Sequence, residues 1–176
     1  MGLNWSQFEA GILLPVLDGP FGWERQVGRS SDAEVAHRLV GETIWHESDY
    51  LQALGQYGTI TFGNEPVFGP GLGVCSMEKP TWDWLCREYI AKSKTLQDFF
   101  ARWTIQGPHN YDELAGNLYF AVAACRLRYW VAAGALPTGL FNIEGRARYW
   151  FTWYNGSGVE SRRAKYIKDA KLIAWG

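Results

Sequence analysis

Along most of this chain the spacing of apolar and polar positions is helical. From Ser6 to Asp18, Phe8, Ile12, Leu13, Val16 and Leu17 share one face, Pro15 interrupts it, and Gly19-Pro20 ends it. Ser31 and Glu34 then have the spacing of a capping box. Val35, Leu39, Val40 and Ile44 follow at helical intervals, so a second helix is expected to deliver Glu47 at or near its end. Between Asp49 and Lys79 the periodicity is lost. Glycine recurs at 55, 58, 63, 69, 71 and 73 with Pro66 and Pro70 among them, which predicts a loop or small irregular β-region with one short strand over Thr59–Phe62. Helices resume over Thr81–Lys92 and Thr95–Trp103, and Gly107-Pro108 separates them from a longer helix expected over Tyr111–Ala133. Leu114, Leu118, Ala121, Val122 and Cys125 mark that segment as the central buried helix. Two more helices, Glu144–Tyr154 and Val159–Ile173, are joined by Asn155-Gly156-Ser157-Gly158. The pattern predicts one mainly α domain over residues 1–176, with a glycine-rich irregular or small β loop region and no repeats or linkers.

Composition changes this picture at one point. Ten Trp, nine Tyr and nine Phe make 16% of the residues aromatic. Rings bury large areas while few rotamers are fixed, so most are expected in the core; the sharper alternative is a groove in which aromatic faces stack on sugar rings. Charge adds an exclusion. Lys and Arg number 17 against 18 Asp and Glu, and a net charge of −1 offers no field to gather nucleic acid or an anionic membrane. The apolar run Gly11–Leu17 is too short to span a bilayer and no basic segment precedes it, so neither a signal peptide nor membrane insertion is expected. Cys75, Cys86 and Cys125 have no metal-ligand spacing, and their odd number argues against a complete disulfide framework, in keeping with a reducing compartment.

Three weak chemical signals stand in a suggestive order: an acid at a helix end, a glycine-rich wall, and a late tyrosine-asparagine turn. Glycosidic cleavage needs a carboxyl held protonated near neutral pH by a partly apolar pocket. Glu47 is the natural candidate, with Trp45 and Tyr50 as neighbouring rings able to form the low-dielectric wall. A solvated helix-end glutamate is the bland alternative, and Glu42 is a competitor on a different face of the same helix. His46-Glu47 is followed by Ser48-Asp49-Tyr50, so the H-E-x-x-H helix of zinc proteases is absent and no metal is expected. Glu78 offers a second carboxylate whose more ordinary role is a surface or capping charge.

Taken together, Val40–Ser48 and then Gly69–Glu78 with Thr81 resemble the first two motifs of soluble lytic transglycosylases, roughly E-S and then G-L-M-Q with a proline and a threonine beyond. Trp153–Gly158, followed by a basic helix, is similar to that family's A-Y-N-A-G motif, and small phage-encoded members show the same order. The resemblance implies a lysozyme-like α-rich fold and cleavage of the β-1,4 bond between N-acetylmuramic acid and N-acetylglucosamine in peptidoglycan. It implies Glu47 as the single catalytic acid/base, and Ser48, Ser76, Met77, Glu78, Tyr154 and Asn155 as residues facing the glycan strand. No cofactor is implied. Gln56 stands about nine residues after Glu47, where some lysozymes carry a second carboxylate, which leans toward the single-acid mechanism. The chain also departs from the family: Ser76 replaces the usual Gln, Gly63–Phe68 resembles an insertion, and Y-N-G-S-G replaces Y-N-A-G. A second expectation is therefore a phage virion structural or DNA-ejection protein with the same fold and little or no activity, since fold does not establish function. Its partners would be other virion proteins. For either reading the expected setting is the virion, or the host cytoplasm before release.

Overall fold

Pro15 shapes the start of the chain as the sequence suggests, but by a change of helix type. The computed structural model describes residues 4–18, 30–52, 55–62, 65–156 and 159–175. Helix α1 (Trp5–Phe8) opens with a capping box between Asn4 and Gln7, widens to a π-helical turn over Glu9–Leu13, and continues as α2 (Leu14–Leu17). Proline has no N–H to give an α ladder. The wide turn puts Pro15 in the first turn of α2, where that missing donor costs no α-helical bond. The expected stop at Gly19-Pro20, the Ser31 side chain of the expected capping box, and the Gly63-Asn64 and Ser157-Gly158 pairs lie outside what is described.

Helix α3 (Ser30–Glu47) ends at Glu47, as the periodicity predicted. The glycine-rich region beyond it is more ordered than expected: β1 (Gly55–Phe62) and β2 (Glu65–Leu72) form an antiparallel hairpin, and β3 (Met77–Glu78) pairs with the end of β2 through Gly71–Glu78 and Leu72–Met77. Glycine and proline had disguised β2 as loop. At Gly71 the backbone passes so close to Ser76 that a Cβ would lie 2.5 Å from the Ser76 carbonyl oxygen, which is the kind of approach that puts glycine inside a strand.

After β3 the chain is helical: α4 (Lys79–Leu85) with a π-helical continuation over Cys86–Ile90, then α5 (Lys94–Trp103), capped by the Ser93 hydroxyl accepting from the Leu96 N–H. The single helix expected over Tyr111–Ala133 is broken in two. A short α6 (Glu113–Gly116) stops at Asn117, whose extended backbone (φ −112°, ψ 96°) and side-chain oxygen, accepting from the Phe120 N–H at 3.1 Å, begin α7 (Leu118–Trp130). Asparagine prefers a cap to a helix interior because its amide competes for backbone groups. Two further helices, α8 (Ile143–Trp153) and α9 (Glu160–Ala170), follow; α9 stops short of Ile173.

The expected central helix is α7: from Phe120 to Leu127 every apolar side chain is fully buried, and the helix touches α2, α3, α4 and α5. A helix apolar on all sides belongs inside a protein. Most described aromatics serve packing. Trp82, Phe100 and Phe120 meet edge to face at 5.2–5.7 Å, and all three are inaccessible. Helix α9 lies against α3 and α8, bringing the C-terminal part of the chain to the end of α3 that carries Glu47. The molecule is thus a mainly helical domain with a small three-stranded sheet. Among the described residues no helix is long and apolar enough to cross a membrane.

Candidate active site

Glu47 is the last residue of α3, and the chain leaves the helix through three consecutive left-handed residues, Asp49, Tyr50 and Leu51 (φ 47°, 64° and 64°). None is glycine, so the exit carries backbone strain of about 1–3 kcal/mol per residue. Ser48 holds this exit. Its hydroxyl donates to the Ile44 carbonyl at 2.6 Å and accepts from the Leu51 N–H at 2.9 Å, and the residue is wholly buried. The expectation that Ser48 faces substrate is corrected: its polar atoms are spent on the helix end.

Opposite Glu47 stands the turn between β2 and β3. Gly73 (φ 72°) packs against α6 so tightly that a Cβ would come within 2.2 Å of the Leu114 carbonyl oxygen. The turn closes with Ser76, a fourth non-glycine residue in the left-handed region (φ 47°), whose hydroxyl donates to the Glu47 backbone carbonyl at 3.3 Å. Tyr154, at the C-cap of α8, donates from its hydroxyl to the Cys75 carbonyl at 2.6 Å, tying the late Tyr-Asn turn to the glycine-rich turn. Its ring also packs at 5.2 Å on Tyr129, whose hydroxyl shares a hydrogen bond with Thr43 of α3.

These contacts converge on one pocket of about 550 Å³, lined by Glu47, Ser76, Met77, Glu78, Tyr154 and Asn155. Three segments that are distant in sequence therefore meet as the motif order suggested. Four more residues line the pocket without having been named as site residues: Thr81 and Gly156, which belong to the quoted motifs, and Arg128 and Arg162. Arg162 belongs to the basic helix noted after the Tyr-Asn turn. Arg128 was signalled only by being a charge in the last turn of a helix whose other charge, Arg126, is buried. Arg162 donates to the Asn155 side-chain oxygen at 3.1 Å, which leaves the Asn155 amide nitrogen buried with no hydrogen-bond partner.

Burial pushes the Glu47 carboxyl up to about 7; the Trp150 hydrogen bond and the charges of Arg162 and Lys165 oppose that shift. The ring against the carboxyl is Trp150, whose indole N–H donates to Oε1 at 3.2 Å. This corrects the sequence expectation, because Trp45 packs on Trp5 and Tyr50 instead. Behind Trp150 lies a polar layer. His46 meets the Trp150 ring edge on, its Nδ1 is 2.6 Å from Asp169 Oδ2, and Lys165 and Tyr50 also donate to Asp169. Burial pushes His46 down and Asp169 up, but the bonds from Lys165, His46 and Tyr50 hold the Asp169 carboxyl below its ordinary range.

The competing acid has another role. Glu42 accepts two hydrogen bonds from Arg146, at 2.8 and 2.7 Å, and one from the Tyr166 hydroxyl at 3.3 Å, deep in the core. It has no access to a ligand. Among the described residues no cluster of three or more His, Cys, Asp or Glu side chains could hold a metal ion, and all three cysteines are buried and free. Comparison with protein-family models, curated proteins and solved structures finds no match to this chain.

Proposed function

We propose that this protein is a lysozyme-like glycosidase of the lytic transglycosylase or muramidase type, phage-encoded, cleaving the β-1,4 bond between N-acetylmuramic acid and N-acetylglucosamine in peptidoglycan. The observation that carries the reading is the Glu47 carboxyl, shifted to about 7 in the wall of an open pocket of about 550 Å³. A proton donor matched to neutral pH is what glycosidic cleavage requires.

The hydrogen bond from Trp150 adds direction. An indole N–H only donates, so in the neutral acid it engages the unprotonated oxygen and leaves the O–H on the other, free for a leaving group. Glu47 protonates the glycosidic O4, the C1–O4 bond breaks through an oxocarbenium-like transition state, and the resulting carboxylate takes a proton from the attacking hydroxyl. If that hydroxyl is the 6-OH of the same muramic acid, a 1,6-anhydro sugar forms; if it is water, the product is a reducing end. Glu78, on the rim of the same pocket, is the second carboxylate available to a hydrolytic route.

One observation favours the second reading, a virion structural or DNA-ejection protein with an idle groove. Ser76, where the resembled family has a longer amide, spends its hydroxyl on the Glu47 backbone. Incubation of the purified protein with isolated peptidoglycan, followed by mass spectrometry of the released muropeptides, separates the readings. Anhydro-muramic ends are the outcome for a lytic transglycosylase and hydrated reducing ends for a muramidase. No release from several wall types between about pH 5 and pH 8, a range that brackets the Glu47 value, would overturn the enzymatic reading.

A further inference from the structure

The Glu47 pocket adjoins a second depression. Thr81 and Arg128 line both it and a shallower cavity of about 350 Å³ completed by Pro80 and Trp84. Arg128 sits in the last turn of α7, half-buried, at the border of the two. Its guanidinium carbon stands 5.8 Å from the centre of the Trp84 ring, and Trp84 is braced edge to face at 5.2 Å by Tyr89. A cation held over an aromatic face is restrained in position while the edge that carries its N–H groups stays open.

Three other arginines of the fold spend that edge on the protein, while Arg38, like Arg128, meets aromatic rings. Arg146 holds Glu42, Arg163 holds Glu160, and Arg162 reaches Asn155. Among the described residues, Arg128 makes no hydrogen bond or ion pair; its contact is the Trp84 ring. With Glu47 protonated, the lining side chains of the main pocket carry two guanidinium charges, Arg128 and Arg162, against the carboxylate of Glu78.

We propose that Arg128, steadied by Trp84, forms an anion-recognising subsite that takes a carboxylate carried by a glycan strand lying in the Glu47 pocket. The inference rests on the reading of that pocket as a glycan cleft. A forked guanidinium pairs with a carboxylate through two parallel hydrogen bonds, and in a part-buried setting such a pair discriminates strongly against a neutral ligand. On a peptidoglycan strand the carboxylate is either the lactyl group of muramic acid or a carboxylate of the peptide stem.

The test is calorimetric binding to the Glu47→Gln protein, which removes turnover. Three ligands are compared: a neutral N-acetylglucosamine oligomer, glycan strands stripped of their peptides, and strands that keep them. The acidic strands are expected to bind more tightly than the neutral oligomer, and Arg128→Gln is expected to reduce that preference about tenfold or more. Arg128→Lys keeps the charge and loses the fork, so only part of the preference should survive; it also serves as the test should the Gln variant fold poorly. A preference already present with stripped strands assigns the lactyl group, and one confined to stem-bearing strands assigns the peptide. An unchanged preference in both Arg128 variants would overturn the subsite while leaving the glycan reading intact. If the protein with Arg128 intact binds none of the three, the glycan reading falls and the subsite with it.

Discussion

Helix α3 carries two glutamates five positions apart, Glu42 and Glu47, and the protein treats them oppositely. At about 100° per residue they project roughly 140° apart around the helix. Glu42 points into the core, where it and Arg146 are each 1% exposed and joined by two hydrogen bonds. Burial pushes its carboxyl up, and the guanidinium opposes that shift. Glu47 is also pushed up by burial, but its nearest partner is a neutral indole N–H and its wall is open to ligand. Similar desolvation thus accompanies a structural tie in one place and, in the other, the carboxyl proposed as a proton donor. What differs is whether a fixed cation is within bonding distance.

Removing that cation is the most severe way to break the contrast. Arg146→Met is expected to cost about 3–5 kcal/mol in denaturant unfolding, because Glu42 is left buried and unpaired. The double variant Glu42→Leu with Arg146→Met should recover most of that loss. A loss below about 1 kcal/mol in the single variant would mean that the pair does not anchor α8 to α3.

Replacing the other acid should affect function and stability in opposite directions. Glu47→Gln is expected to lower peptidoglycan cleavage by about a hundredfold or more. Its effect on stability follows from the raised carboxyl. A group whose folded value lies above its ordinary 4.5 contributes fully below that pH, and the contribution is lost as pH rises through about 7. Glu47→Gln should therefore match the wild type in thermal unfolding near pH 4 and exceed it at pH 8 by roughly 2–3 kcal/mol. Equal stability of the two proteins at pH 8 would argue against a desolvated Glu47.

Subtler still is the Trp150 indole. Its bond favours the ionised carboxyl, so Trp150→Phe is expected to raise the Glu47 pKa and move the alkaline limb of the pH–activity profile upward by on the order of one unit. A downward shift would mean that the ring acts on Glu47 in some other way. Ser76→Ala, which removes the hydroxyl bonded to the Glu47 carbonyl, should cost about 1 kcal/mol or less in thermal unfolding. A much larger loss would make Ser76 a keystone of the turn.

How much of the site was legible can be argued from these residues. Glu47 at a helix end, the late Tyr154-Asn155 turn and the tight glycine turn at Gly73 were readable because each rests on local spacing or on backbone chemistry that few residues tolerate. Ser48 was misread because a hydroxyl next to a catalytic candidate can serve the helix end as well as a ligand, and only its bonds to Ile44 and Leu51 decide. Trp150 could not be found by proximity to Glu47, since 103 residues separate them. The break at Asn117 was missed because apolar periodicity runs on across it while the asparagine amide ends one helix and caps the next.

By itself the sequence determined what depends on neighbours along the chain: the succession of helices, the buried character of α7 and the delivery of Glu47 to the end of α3. Tertiary structure alone decided which glutamate is paired, which indole meets the other, and that Arg128 borders the same pocket. Helical periodicity is set by rotation per residue and is written locally. A pKa or a pocket wall depends on which groups come within a few ångströms across the fold, and that is settled only when α8 and α9 pack against α3.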